Sequence, residues 1–123
     1  MADVTAINSY KGGVRFAVWS GMAGGDAGIG LNKFFNFSTR VVQSYYGAGG
    51  QFGTSSVFFE GSNNSTDGLD GNWSHLTDAQ GNNINLGVNS GHIEAVVENT
   101  FFIRPRVGTG TGSLVAVHLF GVR

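Results

Sequence analysis

The residues most able to do chemistry are three histidines, and they stand far apart in the chain. No two of His75, His92 and His118 have the H-x-H or H-x-x-x-H spacing that turns two imidazoles toward one metal ion. A metal site would need the fold alone to bring all three together. We therefore expect ordinary histidines at the surface or the edge of the core, and no metal site.

A polar run over residues 61–72 carries the acidic cluster of the chain. The run N-x-S-x-D-G that begins at Asn63 matches the start of a calcium loop, but the twelfth position is Ser74, where such loops need a bidentate Glu. A calcium loop of another kind would use Asp67 and Asp70. These two carboxylates lack the remaining ligands of a tight site, so we expect no dependence on divalent metals.

Nucleophilic and acid–base catalysis find no support in the residue pattern. The chain has no cysteine and no G-x-S-x-G motif. The Gly-rich residues 20–30 are predicted to form a loop, without the following helix that a phosphate cradle requires. Most carboxylates fall in predicted turns or on predicted solvent faces, where they are solvated. We expect no catalytic residue, no cofactor and no enzyme activity.

Composition predicts a small folded protein that binds any partner through apolar and uncharged polar contacts. With 123 residues and 41% hydrophobic residues, the chain is expected to form a single domain over residues 1–123. A formal charge of −1, with 12% charged residues, leaves no electrostatic footprint for nucleic acid or an anionic membrane. No stretch approaches the roughly 18 apolar residues of a spanning helix, and no export signal is evident. We expect a soluble product made without export.

Short alternating runs separated by Gly, Asn, Asp and Ser predict β-strands along the whole chain. The predicted strands are residues 4–8, 14–19, 33–39, 40–46, 56–60, 83–88, 91–98, 101–107 and 114–120. Residues 1–13 are expected to form an N-terminal arm or an edge strand. Seven to nine strands at about 8–12-residue spacing, with no credible helix, are typical of an all-β sandwich or barrel. We expect a single antiparallel β-sandwich of jelly-roll type, with an immunoglobulin-like topology as second choice.

Several of these strands carry large side chains on both faces. Trp19 lies on the opposite strand face from Phe16 and Val18, and residues 56–60 and 101–107 show the same surplus. Because a two-layer sandwich has one inward face per sheet, some of these groups are expected to be exposed and to meet a partner. The candidate subunit or partner contacts are Tyr10, Arg15, Trp19, Phe58, Phe102, Arg104 and Arg106.

The orientation of three strands follows from their pattern. Pro105 lacks a backbone N–H, so residues 101–107 are expected to border the sheet at that point. Arg104 and Arg106 then either meet a partner carboxylate or keep a sheet edge charged and free of aggregation. On the predicted strands 91–98 and 114–120, the side chains expected to face the core are Ile93, Ala95, Val97, Val115, Val117 and Leu119.

Trp73 and Leu76 are the predicted structural anchors of the polar run. They follow residues 61–72 directly, where the chain leaves a long turn rich in Gly, Asn, Ser, Thr and Asp. A large aromatic at that point can hold both the loop and the sandwich. We therefore interpret Trp73 as part of the core and not as a ligand platform.

With these residues in view, the chain resembles a known group of virion proteins. Residues 60–63 (E-G-S-N), 70–73 (D-G-N-W), 76–82 (L-T-D-A-Q-G-N) and 102–105 (F-I-R-P) are similar to small β-sandwich capsid decoration, or cement, proteins of tailed bacteriophages. The resemblance covers roughly residues 57–120, and Trp19 with the following Gly-rich segment extends it. An insertion over residues 64–69 departs from that pattern.

The resemblance implies a structural role and particular partners. It implies a symmetric oligomer, most often a homotrimer, that is made in the host cytoplasm and binds the major capsid protein on the outer surface of the virion. The run ending at Trp73 is also similar to discoidin-type carbohydrate-binding modules. The alternative function is therefore a monomeric sugar-binding module.

Overall fold

The structure, a computed structural model, describes residues 2–87 and 93–123. These residues form two packed β-sheets, with one short 3₁₀ helix at Phe34–Asn36. The strands are β1 (Asp3–Val4), β2 (Ile7–Lys11), β3 (Val14–Met22), β4 (Ala27–Gly28), β5 (Leu31–Asn32), β6 (Thr39–Gln51), β7 (Val57–Ser62), β8 (Ser74–His75), β9 (Ile93–Ala95), β10 (Phe102–Val107) and β11 (Ser113–Val122).

The strand order is that of a jelly roll. Sheet A runs β1-β4-β10-β7-β8, with β5 also paired to β10, and sheet B runs β2-β3-β11-β6-β9. If β4 and β5 count as one broken strand and β3 as the first, sheet B has the order 1-8-3-6 and sheet A the order 2-7-4-5. All pairs are antiparallel except β1 with β4. The prediction of an all-β, jelly-roll-like sandwich is confirmed.

The core lies between the two sheets and contains the closing strand as predicted. Val115, Val117 and Leu119 on β11 are fully buried, because β11 is the central strand of sheet B. Trp19 of sheet B meets Phe59 of sheet A edge to face, with ring centroids 6.1 Å apart. This pair joins the two layers.

Strand β3 turns the face that carries Trp19 toward the core, so Trp19 is not available to a partner. Trp19 is fully buried, and its Nε1 donates a hydrogen bond to the carbonyl of Ile29 at 3.0 Å. Gly28 makes the room, since a Cβ there would lie 2.7 Å from the indole ring. Phe16 and Val18 consequently point outward and are half-buried.

The prediction of a strand over residues 33–39 is wrong. Lys33 adopts a left-handed conformation (φ 70°), and a 3₁₀ helix follows it. Three residues per turn place Phe34 and Phe37 on the same side, where both are buried. The two rings close one end of the sandwich, which alternation along a strand would not allow.

Pro105 lies in an interior strand and not at a sheet border. Strand β10 pairs with β7 along its whole length, so Pro105 is opposite Phe59. On its other side β10 pairs with Leu31 of β5 and with Ala27 of β4. The missing N–H falls at the break between those two short strands, where the ladder is interrupted.

The orientation predicted for residues 91–98 is also wrong. Ile93 on β9 is 61% exposed and Val97 is exposed, whereas Val96 is buried. Strand β9 is a three-residue edge strand, and the core is reached only as the chain leaves it at Val96. The predictions for Val88 and His92 lie outside the described residues.

Candidate interaction surface

The outward side of sheet B carries a continuous set of apolar side chains. We call it the outer apolar face and define it by Ile7, Phe16, Val18, Val41, Ile93 and Phe120. Ile7 is 74% exposed and Phe120 is 38% exposed. Phe16, Val18 and Val41 are half-buried.

Strand register brings these side chains together in two rows. The first row crosses the sheet through Ser9, Phe16, Phe120, Val41 and Ala95. The second row crosses it through Ile7, Val18, His118, Gln43 and Ile93. Directly opposite residues in antiparallel sheets have Cβ atoms about 5 Å apart, so each row is a contiguous surface.

A groove of about 280 Å³ lies in the middle of this face. The side chains that line it include Phe16, Val41, Ile93, His118 and Phe120. The volume is just below the range of about 300–1,000 Å³ typical of small-molecule sites. The groove therefore fits one or two large side chains of another protein better than an enclosed ligand.

His118 is the polar centre of the groove. Its Nε2 lies 2.7 Å from the hydroxyl oxygen of Tyr45, and its ring packs edge to face on Phe16 with centroids 5.0 Å apart. Burial lowers the pKa of the His118 imidazole. The ring is consequently neutral at pH 7, and the groove has no formal charge at its centre.

Sheet A differs, because the outward side chains of Phe102 and Arg104 on β10 are covered. Arg104 on β10 pairs with Glu60 on β7, with Nε and Oε1 3.0 Å apart. The guanidinium carbon of Arg104 lies 4.0 Å from the centre of the Trp73 ring. Phe102 is 5% exposed and packs against Phe101, with ring centroids 5.2 Å apart.

Trp73 is therefore an anchor outside the core. Leu76 is buried in the core cluster as expected of an anchor, but Trp73 is half-buried. Its Nε1 donates to the carbonyl of Asp70 at 2.9 Å. The ring lies on the outside of sheet A because the loop before it folds back over Arg104.

The acidic loop uses its carboxylates to hold its own backbone. Asp70 accepts hydrogen bonds from the Thr66 hydroxyl at 2.6 Å, the Thr66 amide at 2.7 Å and the Ser65 hydroxyl at 2.9 Å. These bonds, those from Thr66 first, lower the pKa of the Asp70 carboxyl. Asp67 accepts from the amides of Leu69 and Asp70. Over residues 2–87 and 93–123, no three His, Asp or Glu side chains are grouped as for a metal ion.

The predicted contact residues lie in several different places. Arg15, Trp19, Phe102 and Arg104 are buried within the protomer and have no surface to offer a partner. Phe58 is half-buried against His75, with ring centroids 4.6 Å apart, and Arg106 is half-buried beside Phe58. Tyr10 is exposed. None of the seven lies on the outer apolar face.

None of the residues of that face was among the predicted contact residues, although the sequence contains a signal for Phe120. Once Val115, Val117 and Leu119 are assigned to the core, alternation requires His118 and Phe120 to point outward. That signal was available from residues 114–120. The neighbours of Phe120 on β3 and β6 needed the register, which sequence periodicity does not specify.

Comparison with known proteins adds a limited finding. No protein-family model and no curated protein sequence matches the chain. Among solved structures, the chain is similar to "protein NMB1881 from Neisseria meningitidis", with a TM-score of 0.42 and 15% identity. That match covers 96% of this chain and 82% of the other. Within the described residues, no helix has the length and apolar character needed to cross a membrane.

Proposed function

We propose that this protein is a structural assembly protein that docks through the outer apolar face of sheet B. The observation that carries the proposal is the contiguous apolar surface centred on Phe16 and Phe120, with a groove that fits side chains. The largest apolar patch on a typical monomer has about this size and is often a binding site. The neutral His118 at its centre keeps the desolvation cost of docking low.

The area of the outer apolar face indicates how strongly a single copy can bind through it. Five strands spaced at about 4.8 Å, with two rows of outward side chains about 7 Å apart along them, cover about 300 Å². Two copies packed through it would bury about 600 Å², well below the range of about 1,200–2,000 Å² for stable, specific interfaces. Each contact is therefore weak, and the face works best when many copies are held together, since avidity then adds to each contact.

We further propose that the lattice on which these copies are held is a phage capsid. This part rests on the resemblance of residues 57–120 to capsid decoration proteins. In that setting the protein is a cement protein that contacts the major capsid protein and other copies of itself, as a homotrimer. Its action is to raise the energy needed to separate neighbouring capsid subunits.

The carbohydrate-binding alternative is less well supported by the geometry. A sugar-binding aromatic needs a free ring face. One face of Trp73 lies on the guanidinium of Arg104, and its indole N–H is bonded to Asp70. A Cβ on Gly30 would lie 2.6 Å from the same ring, so its edge is also in contact with the protein.

The proposal is tested by the oligomeric state in solution. We expect the wild-type chain to self-associate at high micromolar concentration in light scattering. Phe120→Lys should abolish this association while the melting temperature stays within a few degrees of wild type. Leu69→Lys is the matched control, because Leu69 is similarly exposed but lies on the loop over sheet A.

The capsid part has its own test. Particles that lack this protein should assemble and then release their genome at a lower temperature than complete particles. Particles supplied with Phe120→Lys should behave as if the protein were absent. A wild-type chain that is monomeric at high micromolar concentration, with particles equally robust without it, would overturn the proposal.

A further inference from the structure

The basic residues of the chain gather at one end of the sandwich. The chain has seven Lys and Arg residues, and five of them surround the 3₁₀ helix. We call this the basic end and define it by Lys11, Arg15, Lys33, Arg40 and Arg123. The rest of the chain keeps two basic residues against eight acidic ones. A chain with a formal charge of −1 is thus strongly polarised.

The three arginines of the basic end each contact Phe34 or Phe37. Two of them lie against the rings, and Arg40 bonds to the Phe37 carbonyl. The guanidinium carbon of Arg15 lies 4.1 Å from the centre of the Phe34 ring, and that of Arg123 lies 5.8 Å from the Phe37 ring. The Phe34 and Phe37 rings are 5.8 Å apart. Arg40 Nη1 donates to the carbonyl of Phe37 at 2.6 Å. The three guanidinium groups therefore surround one aromatic pair.

The two lysines lie on segments next to these arginines and phenylalanines. Lys33 is exposed and directly precedes the helix that carries Phe34. The backbone N–H of Arg123 donates to Gly13 in the β2–β3 turn at 3.0 Å, and exposed Lys11 ends β2 at that turn. Lys11, Lys33 and Arg123 are consequently the solvent-facing cations of the basic end.

The buried cations at this end have no carboxylate partner. Arg15 is 4% exposed and Arg40 is 6% exposed. Arg15 bonds to the side-chain oxygen of Asn8 and the carbonyl of Asn32, and Arg40 bonds to backbone carbonyls alone. The Nε of Arg40 is buried without a hydrogen-bond acceptor.

Among the described residues, the cations of the basic end therefore form no ion pair with a side-chain carboxylate. Over the described part of the chain, the one ion pair is Arg104 with Glu60 on sheet A. The carboxylate of Glu98, whose backbone carbonyl accepts from Arg40, is bonded to Thr77. An Arg side chain stays charged at all accessible pH values. Positive potential from two buried guanidinium groups adds to that of three exposed cations.

We propose that the basic end is a docking site for an acidic segment of a partner protein. Carboxylates are the groups that arginine and lysine pair with, and none on this chain is paired there. Three exposed cations fall short of the six to ten phosphate contacts, roughly, that a nucleic-acid binder makes. The acidic remainder of the chain repels a polyanion elsewhere, so the partner is held at this end. The site does not depend on docking through the outer apolar face.

A binding measurement with an oligoglutamate peptide tests the proposal. A fluorescein-labelled oligoglutamate should bind the wild-type chain at an ionic strength of about 0.01 M and bind more weakly at about 0.15 M. The variant K11Q/K33Q/R123Q changes exposed side chains only and should fold normally. We expect its affinity to fall about tenfold, because each exposed pair contributes about a factor of two to three.

A charge-matched control separates a local site from a net-charge effect. The variant N72D/Q80E/N83D lowers the net charge by the same amount through exposed residues away from the basic end. At an ionic strength of about 0.15 M, where the Debye length is about 8 Å, it should lose much less affinity than K11Q/K33Q/R123Q, and an equal loss would overturn the proposal. No wild-type binding at low ionic strength would also overturn it, as would tighter binding of inorganic polyphosphate of matched length. Phe120→Gln removes the same ring from the outer apolar face without adding a charge and should leave peptide binding unchanged, so the two proposals fail separately.

Discussion

The outward sides of the two sheets carry similar residue types, yet the centre of one is covered by a loop and the other is exposed. On sheet A, Arg104 is buried because the chain between β7 and β8 folds back and lays Trp73 over it, and Phe102 is buried beside Phe101. On sheet B, Phe16 and Phe120 keep exposed surface, and the groove between them is open. The residue type therefore does not decide which face is covered.

The connections between strands account for the difference. The link from Ser62 to Ser74 is long and is held together by the side chains of Ser65 and Asp70, so it can lie over sheet A. Among the described residues, one edge strand of sheet B, β2, is joined to its neighbour β3 by a turn of Gly12 and Gly13, which is too short to lie over that sheet. A covered face stabilises the protomer, and a bare face is available to a partner.

The largest expected effect contrasts one phenylalanine on each outer face. Phe102→Ala should lower the free energy of unfolding by about 3–4 kcal/mol, because the side chain is buried. Phe120→Ala should cost less than about 1 kcal/mol, because part of the ring is already in water. Chemical denaturation of the two variants measures both values. Equal costs would contradict the distinction between a covered face and a bare one.

Removing the cover from sheet A should have an intermediate effect. Trp73→Ala exposes the Arg104–Glu60 pair and removes about 100 Å² of buried ring, which is worth about 2 kcal/mol. Trp73→Phe keeps a ring on the guanidinium and should lose about half as much. The melting temperatures of the two variants give the comparison. A Trp73→Ala protein with wild-type stability would show that the loop contributes nothing to sheet A.

Acid should affect the two regions in different pH windows, with small changes in stability. His118 on sheet B has a lowered pKa, so the unfolded chain takes up its proton first as pH falls below about 6.5. Asp70 in the loop over sheet A also has a lowered pKa, so its stabilising effect is present above about pH 4 and is lost below it.

Melting temperature measured against pH separates these two contributions. His118→Gln should flatten the decline in melting temperature between about pH 7 and pH 5 and leave the decline below about pH 4 in place. Asp70→Asn should do the reverse. If His118→Gln follows the wild-type curve throughout, the imidazole is not buried in the way its contacts indicate.

Much of the fold was predictable because it depends on local chemistry. Alternation in β11 identified Val115, Val117 and Leu119 as core residues, since a strand has one inward side. The Gly-, Asn- and Asp-rich residues 61–72 predicted an ordered turn, and its side chains do bond their own backbone. Phe34 and Phe37 were misassigned, because aromatic residues three apart fit a 3₁₀ turn as well as an interrupted strand.

The candidate site depended on information that no single strand contains. Strand β3 has apolar groups on both faces, and Trp19 points inward only because Gly28 and the carbonyl of Ile29 on the other sheet receive it. The burial of Trp73 against Arg104 needed the path of the returning loop. In the same way, contacts between distant segments decide which apolar face is left bare.

By itself, the sequence determined most of the longer strands, the turn over residues 61–72, the all-β class and a net charge near zero, because these follow from residue types and short-range alternation. The tertiary structure alone decided that Arg15, Arg40 and Arg123 meet around Phe34 and Phe37. Composition sums charges over the chain, whereas binding responds to charge within about one Debye length, roughly 10 Å. Proximity of that kind arises only from strand register and sheet packing.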